Sequence, residues 1–152
     1  IQRYRTLIPE TKEYPDVKPV LTELKSQGYL IGLLTDNPPQ SQKQKLQSTG
    51  LEGFFDAVHF TKESGYEKPD PQGFLKIRTK LNVEANECCM VGDHLYKDII
   101  GGFRAEFAAL CWLQRSGGLF NFDEGLFRRL HPEINFHRFG DMTHLKGFLD
   151  RS

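Results

Sequence analysis

Tyr29-Leu30-Ile31-Gly32-Leu33-Leu34 is an unbroken apolar run, and Thr35-Asp36-Asn37-Pro38-Pro39 follows it directly. A run without alternation suits a strand covered on both faces, as in a parallel sheet. Upstream, residues 17–25 set Val17, Val20, Leu21 and Leu24 at the i, i+3, i+4, i+7 spacing of an amphipathic helix that stops at Gly28. Downstream, residues 40–48 predict a helix whose one apolar residue is Leu46, so its Gln/Lys face is solvated. The alternation then repeats. Ala57–Phe60 reads as a short strand, and Asp70-Pro71 reads as an N-cap with Pro at the first helical position. The helix it opens turns Phe74, Ile77 and Leu81 inward. Residues 88–91 predict a strand ending at Gly92-Asp93, and residues 97–104 a helix burying Ile99, Ile100 and Phe103. Residues 107–113 predict another strand, and 143–149 a closing helix with Leu145, Phe148 and Leu149 on one side. Between them, residues 120–139 are aromatic-rich, with a strand expected near 136–139 and the aromatics covering a sheet edge. Strands alternating with helices predict an α/β domain with a mainly parallel sheet.

The whole-chain numbers narrow the function. A length of 152 residues suits one domain with its own core. Twenty basic residues balance twenty acidic ones. A nucleic-acid binder usually carries a basic excess, so none is expected here. Three cysteines, Cys88, Cys89 and Cys111, make neither a disulfide framework nor a zinc pattern, and they fit a reducing cytoplasm. The five histidines never fall at metal-ligand spacing. No apolar run approaches the roughly 18 residues of a membrane span. The chain opens at Ile1, in polar sequence that reads as the interior of a longer protein.

In open α/β sheets, ligands bind beyond the carboxyl ends of the strands. Those ends carry Thr35, Asp36 and Asn37 after one strand, and Asp93, with Asp98 five residues on, after another. Between them lies Glu67-Lys68-Pro69-Asp70-Pro71, a lysine just before a helix start. A hydroxyl, a lysine and two carboxylates at successive strand ends make a coherent phosphate site. Thr35 can donate to a phosphoryl oxygen alongside the backbone N–H groups that open the next helix. Lys68 can neutralise charge building on the phosphoryl group. Asp93 offers the hard oxygen that Mg²⁺ prefers, and Asp98 can hold the site's waters or its lysine. Thr35, Lys68, Asp93 and Asp98 are therefore the candidate catalytic residues. Thr35, Asp36, Asn37 and Lys68 are the candidates for binding phosphate, and Asp93 the candidate metal ligand.

The combination of an apolar run ending in Thr35, Lys68-Pro69, and Val91-Gly92-Asp93 followed by Asp98-Ile99 resembles motifs II, III and IV of the haloacid dehalogenase-like (HAD) hydrolases. Tyr14-Pro15-Asp16-Val17 is similar to the family's Tyr-Pro-Gly-Val helix entry, with Asp16 in place of Gly. The stretch from Met90 to Gly102, followed by Trp112-Leu113, resembles the N-acylneuraminate phosphatase and phosphoglycolate phosphatase branch. The resemblance implies a Rossmann-like three-layer α/β/α fold and Mg²⁺-dependent hydrolysis of a small phosphorylated metabolite through an aspartyl-phosphate.

One family motif is missing. Motif I, Asp-x-Asp-x-Thr after four apolar residues, supplies the nucleophile, and no such sequence occurs here. Asp141-Met142-Thr143 echoes it with a single carboxylate, late in the chain. The motif I strand lies in the family between those carrying motifs II and IV. The resemblance therefore implies either that those two strands pair directly or that an upstream segment fills the space between them. It also implies that residues 1–13 are the tail of a cap, that 14–152 form the core domain, and that the chain alone lacks the nucleophile. Two other readings stay open. A dehalogenase also uses an aspartate nucleophile, without Mg²⁺ and with Ser-Asn in place of Gly-Asp in motif IV. A HAD-like binding or scaffold domain would have lost motif I outright.

Overall fold

A computed structural model describes residues 14–151. The expected cap tail at residues 1–13 lies outside the described residues. The elements run α1 (Val17–Ser26), β1 (Gly32–Thr35), α2 (Pro39–Thr49), β2 (Ala57–Phe60), α3 (Thr61–Ser64), α4 (Pro71–Leu81), β3 (Cys89–Gly92), a π-helical turn (Leu95–Ile99) continuing into α5 (Ile100–Arg104), β4 (Ala109–Leu113), α6 (Glu124–Leu130), β5 (His137–Phe139) and α7 (Met142–Asp150). Among the described residues every strand pairing is parallel, and the architecture is α/β. The apolar run that opens at Tyr29 enters its sheet only at Gly32, leaving Tyr29 and Leu30 exposed before it. Two short helices, α3 and α6, were not legible in the pattern: α3 is a single turn, and α6 lies inside the aromatic stretch.

The strands form two sheets. β1 pairs with β2, and β3, β4 and β5 form a second sheet in that order. β1 and β3, which carry the Thr35 and Asp93 ends, do not pair. A cavity of about 480 Å³ separates them, lined by Gly32, Leu33 and Leu34 on one side and Cys89, Met90 and Val91 on the other. Leu21 and Leu24 of α1, Leu145 and Leu149 of α7, and Phe74 and Ile77 of α4 close it in apolar surface. Of the two arrangements the family resemblance leaves open, this is the one with a gap.

Strand alternation divides the larger sheet's two faces. Met90, Leu110 and Trp112 join a core with Leu95, Ile99, Ile100, Phe127, Ile134 and Phe136, which anchors the π turn and α5 on that face. Phe127 is thus core, fully buried, rather than an edge cover. Phe103, expected inward, is 40% exposed at the end of α5. α5 reaches α4 through a glycine. A Cβ on Gly101 would stand 2.3 Å from the Phe74 ring, so only hydrogen at that position lets the two helices meet.

Asp16 explains its own departure from the family pattern. Its carboxylate accepts the Met142 N–H at 2.7 Å and pairs with Arg115 at 3.0 Å, joining the start of α1 to the start of α7. Burial alone would raise this carboxyl, but the Arg115 and Met142 hydrogen bonds outweigh it and hold it below its ordinary value. Asp141, the echo of motif I, caps α7 by accepting the His144 N–H at 2.8 Å. Among the described residues, no helix is long and apolar enough to cross a membrane.

Gly101→Ala is expected to cost about 1–3 kcal/mol in urea denaturation, the usual penalty for forcing a methyl into a filled core. Gly147→Ala in α7 meets only the flexible end of Arg151 at 3.4 Å. That substitution is expected to be neutral or to stabilise by up to about 1 kcal/mol through helix propensity.

Candidate active site

β1 ends at Thr35, whose hydroxyl accepts the Asn37 N–H at 3.1 Å and so keeps its own hydrogen available for a ligand. The Asn37 side chain donates to Gln42 at 3.0 Å, tying the turn to the first part of α2. Asp36 turns away from this pair. Its carboxylate accepts from the Thr61 hydroxyl at 2.8 Å, the Lys68 N–H at 3.0 Å and the Lys97 ammonium at 3.0 Å. Burial would raise the Asp36 carboxyl, yet the Lys68, Thr61 and Lys97 hydrogen bonds more than offset it and hold it below the ordinary 3.8.

Lys68 sits in the loop before α4, joined to Pro69 by a cis bond, with Asp70 capping the helix by accepting the Gln72 N–H. Its ammonium donates to Asp98 at 2.7 Å. Asp98 is 3% exposed, and its second oxygen accepts the His94 N–H at 3.0 Å. Both oxygens of a buried carboxylate are thereby satisfied, which burial of a charge requires. Gly92 makes room for it: a Cβ there would lie 2.2 Å from the Asp98 carboxylate. The Gly-Asp pair at this strand end is therefore one packing unit with Asp98, the glycine by its lack of a side chain.

Asp93 follows, its carbonyl accepting the Trp112 indole N–H at 3.0 Å, which fixes the backbone from the core side. The residue is exposed at the strand end, its carboxyl partly shielded. Partial burial, then the charge on Asp98, push it above the ordinary 3.8. The next residue, His94, accepts the Lys97 N–H on Nδ1 at 3.2 Å, and its ring rests against Phe120 and Phe122 with centroids 4.7 and 4.6 Å away. It is thereby an anchored residue.

The sequence candidates thus gather at one end of the strands. Lys68 and Asp98 are in direct contact, and Asp36 reaches Lys68 through the backbone. Thr35 and Asp93 stand at the ends of β1 and β3, on either side of the cavity. Three participants escaped the sequence reading: Thr61, Lys97 and the indole of Trp112. Thr61 was findable by the same strand-end logic, since it directly follows Ala57–Phe60. Lys97 lies one residue before Asp98, within a stretch already singled out.

A metal can be tested against this donor set. Among the described residues, no group of three His, Cys, Asp or Glu side chains converges to hold an ion. Asp93 fits as one ligand for Mg²⁺, which commonly binds through one or two carboxylates and keeps several waters. A cation beside Asp93 would also relieve its repulsion with Asp98.

A sequence model described as haloacid dehalogenase-like hydrolase matches residues 1–106. The chain belongs to that family. It is 39% identical to the N-acylneuraminate-9-phosphatase of Rattus norvegicus over 104 residues, which cover 68% of this chain and 42% of that protein. It is 40% identical to the glyceraldehyde 3-phosphate phosphatase of Methanopyrus kandleri over 94 residues, 62% of this chain and 40% of that protein. Among solved structures, a HAD phosphatase from Thermococcus onnurineus superimposes with a TM-score of 0.75 at 30% identity, over 90% of this chain and 57% of its own. An L-2-haloacid dehalogenase superimposes at 0.77 with 24% identity over 98% of this chain and 60% of its own, a likeness of fold. The HAD chain described here therefore spans about two fifths of the length of these curated relatives.

The two shifted carboxyls make opposite contributions to stability. Asp36 is lowered on folding, so its contribution is present above pH 3.8 and is lost as pH falls through its folded value. Asp93 is raised, so its contribution is present below pH 3.8 and is lost as pH rises through its folded value. At pH 7, Asp36→Asn is expected to lower the urea midpoint and Asp93→Asn to raise it. On acidification the Asp93 difference should shrink as pH falls through its raised folded value towards 3.8, and the Asp36 difference only below 3.8; circular dichroism across the pH range measures both.

Proposed function

We propose that this chain supplies the phosphate-binding and lysine side of a Mg²⁺-dependent phosphomonoesterase, and that the nucleophilic aspartate arrives on a further strand seated between β1 and β3. The observation that carries the reading is the Lys68–Asp98 pair at 2.7 Å, held beside Asp93 at the carboxyl ends of strands that flank an open slot. The apolar walls of that slot suit a strand buried on both faces, and a carboxylate at its end would emerge between Thr35 and Asp93.

In this reading the Thr35 hydroxyl and the N–H groups of Gln40 and Ser41, the first that α2 offers after Pro38 and Pro39, take phosphoryl oxygens. Lys68, oriented by Asp98, places its positive charge against the charge that builds during transfer. Asp36 assists indirectly. A carboxylate accepts hydrogen bonds and repels phosphate, so its three donors mark it as a positioning residue for the Lys68 loop. Asn37 orders the turn, its N–H donating to the Thr35 hydroxyl and its side chain to Gln42. Asp93 would hold Mg²⁺, which when bound would spread the negative charge of the phosphoryl group. The aspartate of the inserted strand attacks phosphorus, the ester oxygen leaves, and water then cleaves the aspartyl-phosphate.

The substrate class is a small phosphorylated metabolite such as a sugar or triose phosphate, by analogy with relatives named as phosphatases of N-acylneuraminate 9-phosphate and glyceraldehyde 3-phosphate. A cytoplasmic setting accords with three free thiols. Gly92-Asp93 with Asp98 favours the phosphatase over the dehalogenase reading. A scaffold that had lost catalysis would have no chemical reason to keep the Lys68–Asp98 pair at the strand ends.

Inorganic phosphate with Mg²⁺ is expected to shift the amide resonances of Asn37 and Asp93 in the 152-residue chain. Lys68→Ala should weaken that binding about tenfold or more, the loss of one charged hydrogen bond. Unmoved resonances would sink the phosphate site. The chain alone should not turn over an aryl phosphate. Turnover abolished by Lys68→Ala would show that it needs no outside nucleophile.

A further inference from the structure

We propose that Cys89 and Cys111 form an oxidation site, at which a hydroperoxide converts the two thiols into a cross-strand disulfide between β3 and β4. The proposal is independent of the phosphate chemistry, which uses neither cysteine.

The two sulfurs lie 3.5 Å apart, joined by an S–H···S hydrogen bond. In the parallel register Cys89 stands opposite Ala109, and Cys111 stands opposite Val91. The cysteines therefore occupy diagonal positions on one face, the face turned away from Met90, Leu110 and Trp112. A disulfide needs its sulfurs to close to about 2.05 Å, and diagonal positions lie about 7–8 Å apart, so closure draws the two strands together as well as rotating both side chains.

Their surroundings give the two thiols different tasks. Cys89 lines the cavity between β1 and β3, so a molecule as small as a peroxide can reach its sulfur while the slot stands open, as in the 152-residue chain. Cys111 is fully buried behind it. Donation from Cys111 holds the Cys89 thiol below its ordinary range, while that same bond and then burial push Cys111 up. Cys89, on the cavity wall, is the sulfur that meets the oxidant once deprotonated, and the buried Cys111 is the thiol that resolves it. In the first step the Cys89 thiolate attacks a peroxide oxygen, the O–O bond breaks, and water leaves after protonation, giving a sulfenic acid. In the second step the Cys111 sulfur attacks the Cys89 sulfur. Its proton goes to the departing hydroxide, so that a second water leaves. Two thiols are oxidised by two electrons and one peroxide is reduced.

Cys88 is the natural competitor, and geometry sets it aside. It also lines the cavity, but its thiol donates to the Glu84 carbonyl at 3.2 Å, whereas the sulfur beside Cys111 is that of Cys89. Burial, the first of its influences, pushes that thiol up, away from the reactive form.

The consequence falls on the cavity wall. Forming the bond draws Cys89 towards β4 and away from the slot, in the strand that leads to Asp93 four residues later. Oxidation would thus alter the surface offered to whatever lies between β1 and β3.

The test treats the purified 152-residue chain with a small excess of hydrogen peroxide and reads intact mass, then maps linked peptides after digestion at acid pH. The expected result is loss of two hydrogens per chain, a Cys89–Cys111 linked peptide, and one remaining free thiol at Cys88. Cys88→Ala should oxidise identically, and Cys89→Ala should show no mass loss while keeping two free thiols. Added oxygen on Cys89 with Cys111 still free, a link through Cys88, or three surviving thiols would each overturn the proposal. If Cys89→Ala fails to fold, the peptide map of the parent chain still decides.

Discussion

A single buried carboxylate organises this end of the molecule. Asp98 accepts the Lys68 ammonium and the His94 N–H, and it fits because Gly92 has no side chain. Removing one partner of such a pair typically costs about 3–5 kcal/mol, because the other is left charged and dry. Loop, strand end and π turn therefore depend on one another through this carboxylate. The Asp36–Lys97 pair at 3.0 Å repeats the device one layer away, with Lys97 41% exposed and the pair correspondingly weaker. Both ion pairs link elements that follow the small sheet to elements that follow the large one. They hold the ends of the two sheets together where backbone hydrogen bonds do not.

That absence of backbone pairing between β1 and β3 is the second constraint. A strand edge presents N–H and C=O groups that seek partners, and most proteins cover or pair such edges. Here two edges face each other across an apolar cavity, with side chains of three helices closing it. The arrangement satisfies hydrophobic burial from the helix side while leaving the strands' inward polar groups to whatever occupies the slot.

Much of the fold was legible because its cues are local. The run ending at Leu34, the Asp70-Pro71 cap and the Gly28 stop each announce themselves within a few residues. The polar helix α2 was also readable, since a solvated face needs no tertiary partner. What stayed hidden was set by distance. Phe103 and Phe127 look alike in sequence, yet one ends exposed and the other in the core. In the site, Lys68, Asp98, Thr35 and Asp93 could be picked out as chemically suited groups at strand ends. Asp36 has the same credentials, but its role depends on Thr61 and Lys97, whose approach only the folded chain creates. Likewise His94 gives no sequence hint of the Phe120 and Phe122 rings that hold it.

Asp16 adds something of a different kind. Its carboxylate reaches a backbone group 126 positions away, closing the chain nearly end to end with Arg115 as the third member. Bringing such remote segments together costs loop-closure entropy that grows only slowly with length, so a single well-satisfied charge can sustain it. With the ion pairs joining the strand ends and this clasp joining α1 to α7, the two sheets are tethered at separate points around the cavity. The slot is thereby framed like a socket of fixed width, its dimensions decided by groups that do not themselves enter it.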